Sequence, residues 1–262
     1  MLLPNWLDNF IYNDLNAKYC RSNANITVID WDKNDILNYL GTYFPRSYAE
    51  AYCIFTEYFQ NNTDTFADKE ELTIFDFGCG TGGEIIGLLT VLNELRPNLK
   101  IVKIVALDGN QNALRLYDKV ITELQNHIDF CIENDTALVP IGDFYDLHIL
   151  DDVIDKQFDV IISFKAICEF VTKDQFEKHN AYEHIVKFLT PKLVKDGLLL
   201  LVDVTSYNDT SQEWLPNMMD KGLSATKSFV TAKNRGNNQT FLITHSHKLN
   251  DCSKVAWRMI KK

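Results

Sequence analysis

From residue 72 onward the chain alternates short apolar runs with longer stretches of helical period. "LTIFDF" (72–77) is an apolar run closed by glycines and predicts a buried strand. "GGEIIGLLTVLNEL" (82–95) predicts a helix that ends before Pro97. "KIVKIVALD" (100–108) and "NQNALRLYDKVITELQN" (110–126) predict a second strand and helix. "IDFCI" (128–132) is a weaker third strand and "FDVIISF" (158–164) a fourth. A long helix is expected over "KDQFEKHNAYEHIVKFLTPKLV" (173–194), then a fifth strand in "GLLLLVDVT" (197–205). "QTFLITHSHK" (239–248) and "KVAWRMIK" (254–261) read as a closing antiparallel pair. Repeated strand-then-helix predicts parallel strands joined by right-handed crossovers, with helices on both faces. The unbroken apolar run "GLLLLV" fits a strand buried on both sides.

Residues 1 to about 62 have helical period only. One helix is expected over "DWDKNDILNYLG" (30–41), capped by Asp30 or Asp32 and stopped by Gly41. A second is expected over "FPRSYAEAYCIFTEYF" (44–59), with Pro45 in its first turn. Its Tyr48, Tyr52, Phe55 and Phe59 form an aromatic stripe. The polar stretch "QNNTDTFADKEE" (60–71) is a connector. This gives a helical extension or lid over 1–70 and an α/β domain over 71–262, the stripe resting over the open end of the sheet.

The segment "FDFGCGTGGEIIG" (75–87) raises the chemical question. Gly78, Gly80 and Gly83 fit the dinucleotide fingerprint G-x-G-x-x-G, while Asp76, Gly78, Gly80 and Gly82 fit D-x-G-x-G-x-G. A dinucleotide sets its pyrophosphate on the helix N-terminus. A carboxylate at the strand end suits a ligand with an ammonium and a sulfonium instead. The late start of the α/β domain and its antiparallel tail also differ from a six-strand parallel dinucleotide domain.

Residues 72–262 resemble a class I S-adenosylmethionine-dependent methyltransferase. "FDFGCGTGG" matches the first motif of that family. "VALDGN", "GDFYDL", "FDVIISFKAICEF" and "LTPKLVKDGLLLLVDV" resemble the later motifs in order, with Asp196-Gly197 where a paired glycine is usual. The resemblance implies a doubly wound, mostly parallel sheet of seven strands in the order 3-2-1-4-5-7-6, a Rossmann-like methyltransferase fold. "YFPRSYAEAY" (43–52) also resembles the methyltransferase-like family associated with the small ribosomal subunit, without the metal-binding cysteines of some members.

The implied cofactor, S-adenosyl-L-methionine, would be bound by Asp76, Gly78, Cys79, Gly80, Thr81, Gly82, Asp108, Gly109, Asp143, Phe144, Ser163 and Arg46. Asp108 would accept from both ribose hydroxyls, or else cap the following helix. Asp143 would take the adenine amino group with Phe144 on the ring, Asp135 being its rival. Asp76 would act through water or the loop amides, or only fix the loop. Arg46 would pair with the methionine carboxylate, or else lie on the surface. Ser163, Lys165, Cys168 and Glu169 stand where acceptors lie, and Glu169 is the best candidate base. No "NPPY"- or "DPPY"-like motif follows the fourth strand, which argues against methylation of DNA adenine or glutamine. Cys168, in an apolar context, reads as a packed thiol. His245 and His247 share a strand face but lack a third ligand for a metal.

Bulk properties narrow the partners. The chain of 262 residues is 46% hydrophobic, enough for one sizeable core. No apolar run is long enough for a bilayer span, and the N-terminus has no signal-peptide pattern. Six scattered cysteines without a C-x-x-C pair suggest reduced thiols and a cytoplasmic protein. The net charge of -10 divides into +8 over 221–262 and -18 over the rest. The acidic body disfavours loose RNA binding, whereas the basic end suits an anionic partner. The expected acceptor is a small molecule, with RNA or a ribosomal partner, or a non-catalytic binding role, as the alternatives.

Overall fold

The computed structural model describes residues 1–20, 31–142, 144–171 and 178–262, without the side chains of residues 144, 145, 152 and 153. The strands of the main sheet are β1 (Glu71–Phe77), β2 (Ile101–Asp108), β3 (Cys131–Leu138), β4 (Phe158–Phe164), β5 (Leu193–Val204), β6 (Val230–Lys233), β7 (Gln239–His245) and β8 (Lys248–Lys261). Their order is β3-β2-β1-β4-β5-β8-β6, with β7 paired to the other half of β8. β1 to β5 run parallel and β8 is antiparallel to β5. This is the doubly wound, mostly parallel sheet expected of a Rossmann-like methyltransferase fold, with one strand more. The extra strand arises because the outer strand is split. Buried Asn234 accepts the Trp257 N–H at 2.8 Å and Arg258 Nη1 at 2.7 Å through its side chain. It thereby bonds the stretch of β8 that lies between its pairings with β6 and β7.

The alternation of side chains along the strands fills two cores. Leu72 and Ile74 of β1, with Val102, Ile104 and Ala106 of β2, face α3 (Gly83–Leu95) and α4 (Gln111–Leu124). Phe75 and Phe77 face the other side, where α5 (Ile149–Val153), α6 (Ala181–Leu189) and α7 (Leu215–Ala225) pack. The third strand lies later than "IDFCI" implied: it is the mostly polar "CIENDTAL", tolerated because β3 borders only β2. The long helix expected over 173–194 is the shorter α6. Asn180 caps its start, Pro191 lies in the 3-10 turn that follows it, and Leu193 already belongs to β5. Residues 172–177 lie outside the described residues.

The N-terminal region departs most from its pattern. Residues 1–3 are extended and lie beside β7, with Leu3 N–H donating to Thr244 O at 3.0 Å. A short helix, α1 (Asn5–Asn9), and a π turn follow. The two helices expected on either side of Gly41 are one, α2 (Lys33–Asn61), started by an Asp32–Asp35 capping box. Gly41 does not stop it. A Cβ there would stand 2.5 Å from the backbone of Lys18, so Gly41 lets that segment cross the helix. Pro45 lies in the interior of α2, where it cannot donate to the carbonyl of Gly41. Tyr12 Oη donates to that carbonyl at 2.6 Å and restores the lost bond.

The aromatic stripe packs along α3 and not over the open end of the sheet. Tyr48, Phe55 and Phe59 are buried in the core shared with α3. Tyr52 is half-buried and donates to Glu94 at 2.8 Å. Cβ atoms on Gly83 and Gly87 of α3 would clash with α2, the first with the Phe44 carbonyl and the second at 2.6 Å from the Tyr48 carbonyl. Among the described residues, no helix is long and apolar enough to cross a membrane.

Candidate cofactor cleft

The glycine loop lies at the carboxyl end of β1, where open α/β sheets bind ligands. The Gly78 and Cys79 amides donate to the Leu107 carbonyl at 3.0 and 2.9 Å, tying the loop to β2. Gly78, Gly80 and Gly82 have φ of 72°, 49° and 84°, a region other residues rarely adopt. Gly78 also leaves room for the Cβ of Ala166. Gly83 serves the α2 crossing: a Cβ there would clash with the Phe44 carbonyl oxygen.

A cleft opens beside this loop, lined by Gly78, Gly80, Asp108, Gly109, Val139, Ile141, Lys165, Glu169 and Tyr39, among others. Asp108 ends β2. Its Oδ2 accepts from the Gly80 amide at 2.9 Å and its Oδ1 from the Asn110 amide at 2.7 Å. It does not cap the following helix. Asn110 does, through Oδ1 to the Asn112 and Ala113 amides at 2.8 and 3.1 Å. The Gly109 amide also donates to it, and a carboxylate has about four acceptor sites, so Asp108 retains room for one more donor from a ligand in the cleft.

The other sequence-derived candidates divide. Cys79 and Thr81 are buried in the loop and do not line the cleft; Gly82 precedes α3 and abuts the Tyr117 ring. Ser163 is buried on β4, its hydroxyl without a partner and away from the cleft lining. Asp143 and the side chain of Phe144 lie outside the described residues. Asp135 is no rival for the adenine: it sits mid-strand in β3, exposed and opposite Val105. Glu169 lines the cleft from a 3-10 turn, Ile167–Glu169.

Arg46 is a correction. It makes a bidentate pair with Asp251 of β8, at 2.8 and 2.9 Å, and does not line the cleft. Burial works against that carboxylate, but Arg46 holds Asp251 below its ordinary pKa. His245 and His247 both stack on Tyr12, and His245 Nδ1 lies 2.8 Å from Tyr12 Oη. These groups fasten α2 and the N-terminal segment to the β7–β8 hairpin.

Three features were not read from the chain. Tyr39 of α2 lies over the loop, its ring 3.4 Å from where a Gly80 Cβ would stand. Lys165, at φ 56°, donates to both oxygens of buried Glu50 at 3.1 and 2.8 Å. Glu50 also accepts from Ser253. Glu84, the second residue of α3, is buried beside Asp76 and Asp108. Burial pushes its carboxyl up to about 8. Asp76 is fully buried with neither oxygen partnered; burial, then the Glu84 and Asp108 charges, hold it well above the carboxylate range. The i, i+4 repeat of Tyr39 and Tyr43 was the one available hint of a second aromatic face on α2.

Cys168 donates to the Lys165 carbonyl at 3.2 Å. Burial, then the Asp203 carboxylate, push this thiol up, so it is a poor nucleophile. Burial also raises Asp203, to about 6, although Tyr182 Oη donates to it at 2.9 Å.

The fold and cleft define a class of architecture: a doubly wound sheet with a reversed last strand and a glycine loop at the switch point, as in class I S-adenosylmethionine-dependent methyltransferases. No protein-family profile matches the chain, and no characterised protein matches it in sequence. Solved structures resemble it distantly. A class I S-adenosylmethionine-dependent methyltransferase described as putative, from Listeria monocytogenes, is 12% identical, with 90% of this chain and 70% of that one covered, at a TM-score of 0.49. The magnesium protoporphyrin IX methyltransferase of Synechocystis PCC 6803, solved with bound S-adenosylmethionine, is 9% identical over 98% of this chain and 89% of its own, at 0.48. The precorrin-6y C5,15-methyltransferase of Geobacter metallireducens is 16% identical over 79% and 88%, at 0.44.

Proposed function

We propose that this protein is an S-adenosylmethionine-dependent methyltransferase whose cofactor lies in the cleft between the glycine loop, Asp108 and Tyr39. The observation that carries the reading is the set of carboxyl groups around the loop. Asp76 near the end of β1, Glu84 at the start of α3 and Asp108 at the end of β2 cluster there. The cleft-lining Lys165 is already paired with Glu50. A pyrophosphate at this helix N-terminus would meet carboxyl groups; a sulfonium and an ammonium would be favoured there. In this reading Asp108 accepts from a ribose hydroxyl with the site its three backbone amides leave open, and the glycine loop lets the ligand approach its backbone. Transfer itself is an in-line displacement that depends on positioning and exclusion of water, with the sulfonium supplying reactivity. Glu169 is the group at hand to take a proton if the acceptor must lose one.

The favoured acceptor is a small molecule. Of the nine Lys and Arg residues over 221–262, four are committed within the fold: Lys221 to Glu213, Arg258 to Asp220, Lys261 to Asp196, and Lys262 to the Pro191 and Leu193 carbonyls. That weakens the case for a basic surface that tracks a phosphate backbone. The packing of α2 on α3, however, removes the argument from a closing lid. Calorimetry with S-adenosylmethionine, S-adenosylhomocysteine and NADH tests the cofactor: the first two should bind and NADH should not. Transfer of labelled methyl to fractionated small-molecule and RNA extracts then tests the acceptor. Cofactor binding with no labelled product in any fraction would leave a non-catalytic binding protein.

A further inference from the structure

Resting on the reading that the cleft holds S-adenosylmethionine, we propose that Asp76 and Glu84 make the site sense the sulfonium charge. They release a proton when the cationic cofactor binds and regain one when methyl transfer leaves the neutral thioether. The two residues are specificity-determining: they favour cofactor over spent product.

The geometry is unusual for structural carboxyls. Asp76 sits on the α3-facing side of β1, wholly buried, with both oxygens unpartnered. Such a group keeps its proton until a positive charge arrives. Glu84 approaches from α3 and is 5% exposed. The charged and titratable neighbours come from each packed element. Asp108 of β2 accepts backbone amides of Gly80, Gly109 and Asn110. The Lys165 ammonium, following β4, is neutralised by Glu50 of α2. The Cys79 thiol and the Tyr117 phenol of α4 are buried and neutral. The buried carboxyls are therefore left without a cation of their own, one loop away from a cleft suited to a cationic ligand. Neither Asp76 nor Glu84 lines that cleft, so they act through the field and not by contact.

The charges balance. In transfer, the carbon–sulfur bond breaks with its electron pair staying on sulfur, and an acceptor lone pair forms the new bond to the methyl carbon. The positive charge leaves the sulfur. The carboxyl pair then takes a proton from solvent, while an acceptor that carries a proton sheds it separately.

The test is calorimetry of S-adenosylmethionine and S-adenosylhomocysteine binding at pH 6.0, 6.75 and 7.5, in two buffers of different ionisation enthalpy. The proteins are the unaltered chain, Asp76→Asn, Glu84→Gln and the double variant. One-proton linkage changes affinity by at most about ten-fold per pH unit. Affinity for S-adenosylmethionine should rise about ten-fold over this range, with proton release, and that for S-adenosylhomocysteine should stay level. The double variant should bind both with little pH dependence. The ligand's own titration is common to all four proteins and cancels in the comparison. Equal linkage for the two ligands, or full linkage in the double variant, would overturn the inference while leaving the cofactor reading intact. Failure of both ligands to bind the unaltered chain at any pH would overturn both.

Discussion

Gly78, Gly80 and Gly82 stand a few residues from Gly83 and Gly87, yet the two groups answer different demands. The first three take positive φ and shape the loop beside the cleft. The last two have ordinary helical geometry in α3, and a Cβ on either would strike the backbone of α2. One group turns the chain through positive φ beside the cleft; the other makes room for the backbone of a neighbouring helix. The difference shows why glycine spacing alone supports two incompatible fingerprints. The missing side chain at Gly83 concerns packing against α2, a demand that spacing alone does not distinguish from the demands on the loop.

Exchanging the two groups by mutation should separate binding from stability. The largest effect is expected for Gly80→Val, which should abolish S-adenosylmethionine binding in a titration by crowding Tyr39 and forcing a β-branched residue to positive φ. Gly87→Val should do the reverse. It should lower unfolding free energy by about 3 kcal/mol in denaturant titration while the folded fraction keeps its affinity. If Gly87→Val lost binding at unchanged stability, the two groups would not be separable. Asp108→Ala should weaken cofactor binding ten-fold or more, since charge-assisted bonds contribute roughly 1.5–3 kcal/mol each. Unchanged affinity would mean that the ligand lies elsewhere.

The buried carboxyls give a smaller effect with a definite sign. Their folded pKa values are raised, so the folded state binds protons that the unfolded chain has released. The contribution to stability is present at low pH and is lost as pH rises through the folded value, about 8 for Glu84. Without ligand, unfolding free energy should therefore fall between pH 6 and 8, by up to about 1.4 kcal/mol per unit for one proton. Glu84→Gln should reduce that slope, leaving the part due to Asp76, and a slope of the opposite sign would contradict the assignment. The smallest effect concerns α2. Amide exchange over 44–59 should be slow without ligand and unchanged by S-adenosylhomocysteine, because this part is core. Only the turns around Tyr39 should slow when the cleft fills. Marked slowing over 44–59 would restore a moving lid.

How far the residues themselves announce this architecture varies along the chain. β1, β2, β4 and β5 were legible because each has a mostly apolar run that ends in turn signals and is buried in the half nearest the cleft. β3 was misplaced because an edge strand needs no apolar run. Gly41 and Pro45 read locally as a stop and a start, and both signals were overridden from a distance: Lys18 crosses at the glycine, and Tyr12 supplies the bond that the proline cannot. Asp108 was legible as the acid ending β2. Arg46 was not, since its partner Asp251 lies 205 residues away.

Local pattern thus determined the order of elements, the doubly wound class and the loop at which a ligand can approach, because periodicity and glycine geometry act over a few residues. Which glycines pack against a helix, which acids lack a partner and where the N-terminal helix docks were decided only by the tertiary structure. Burial of a carboxyl and the clash of an absent Cβ depend on what the rest of the chain brings alongside.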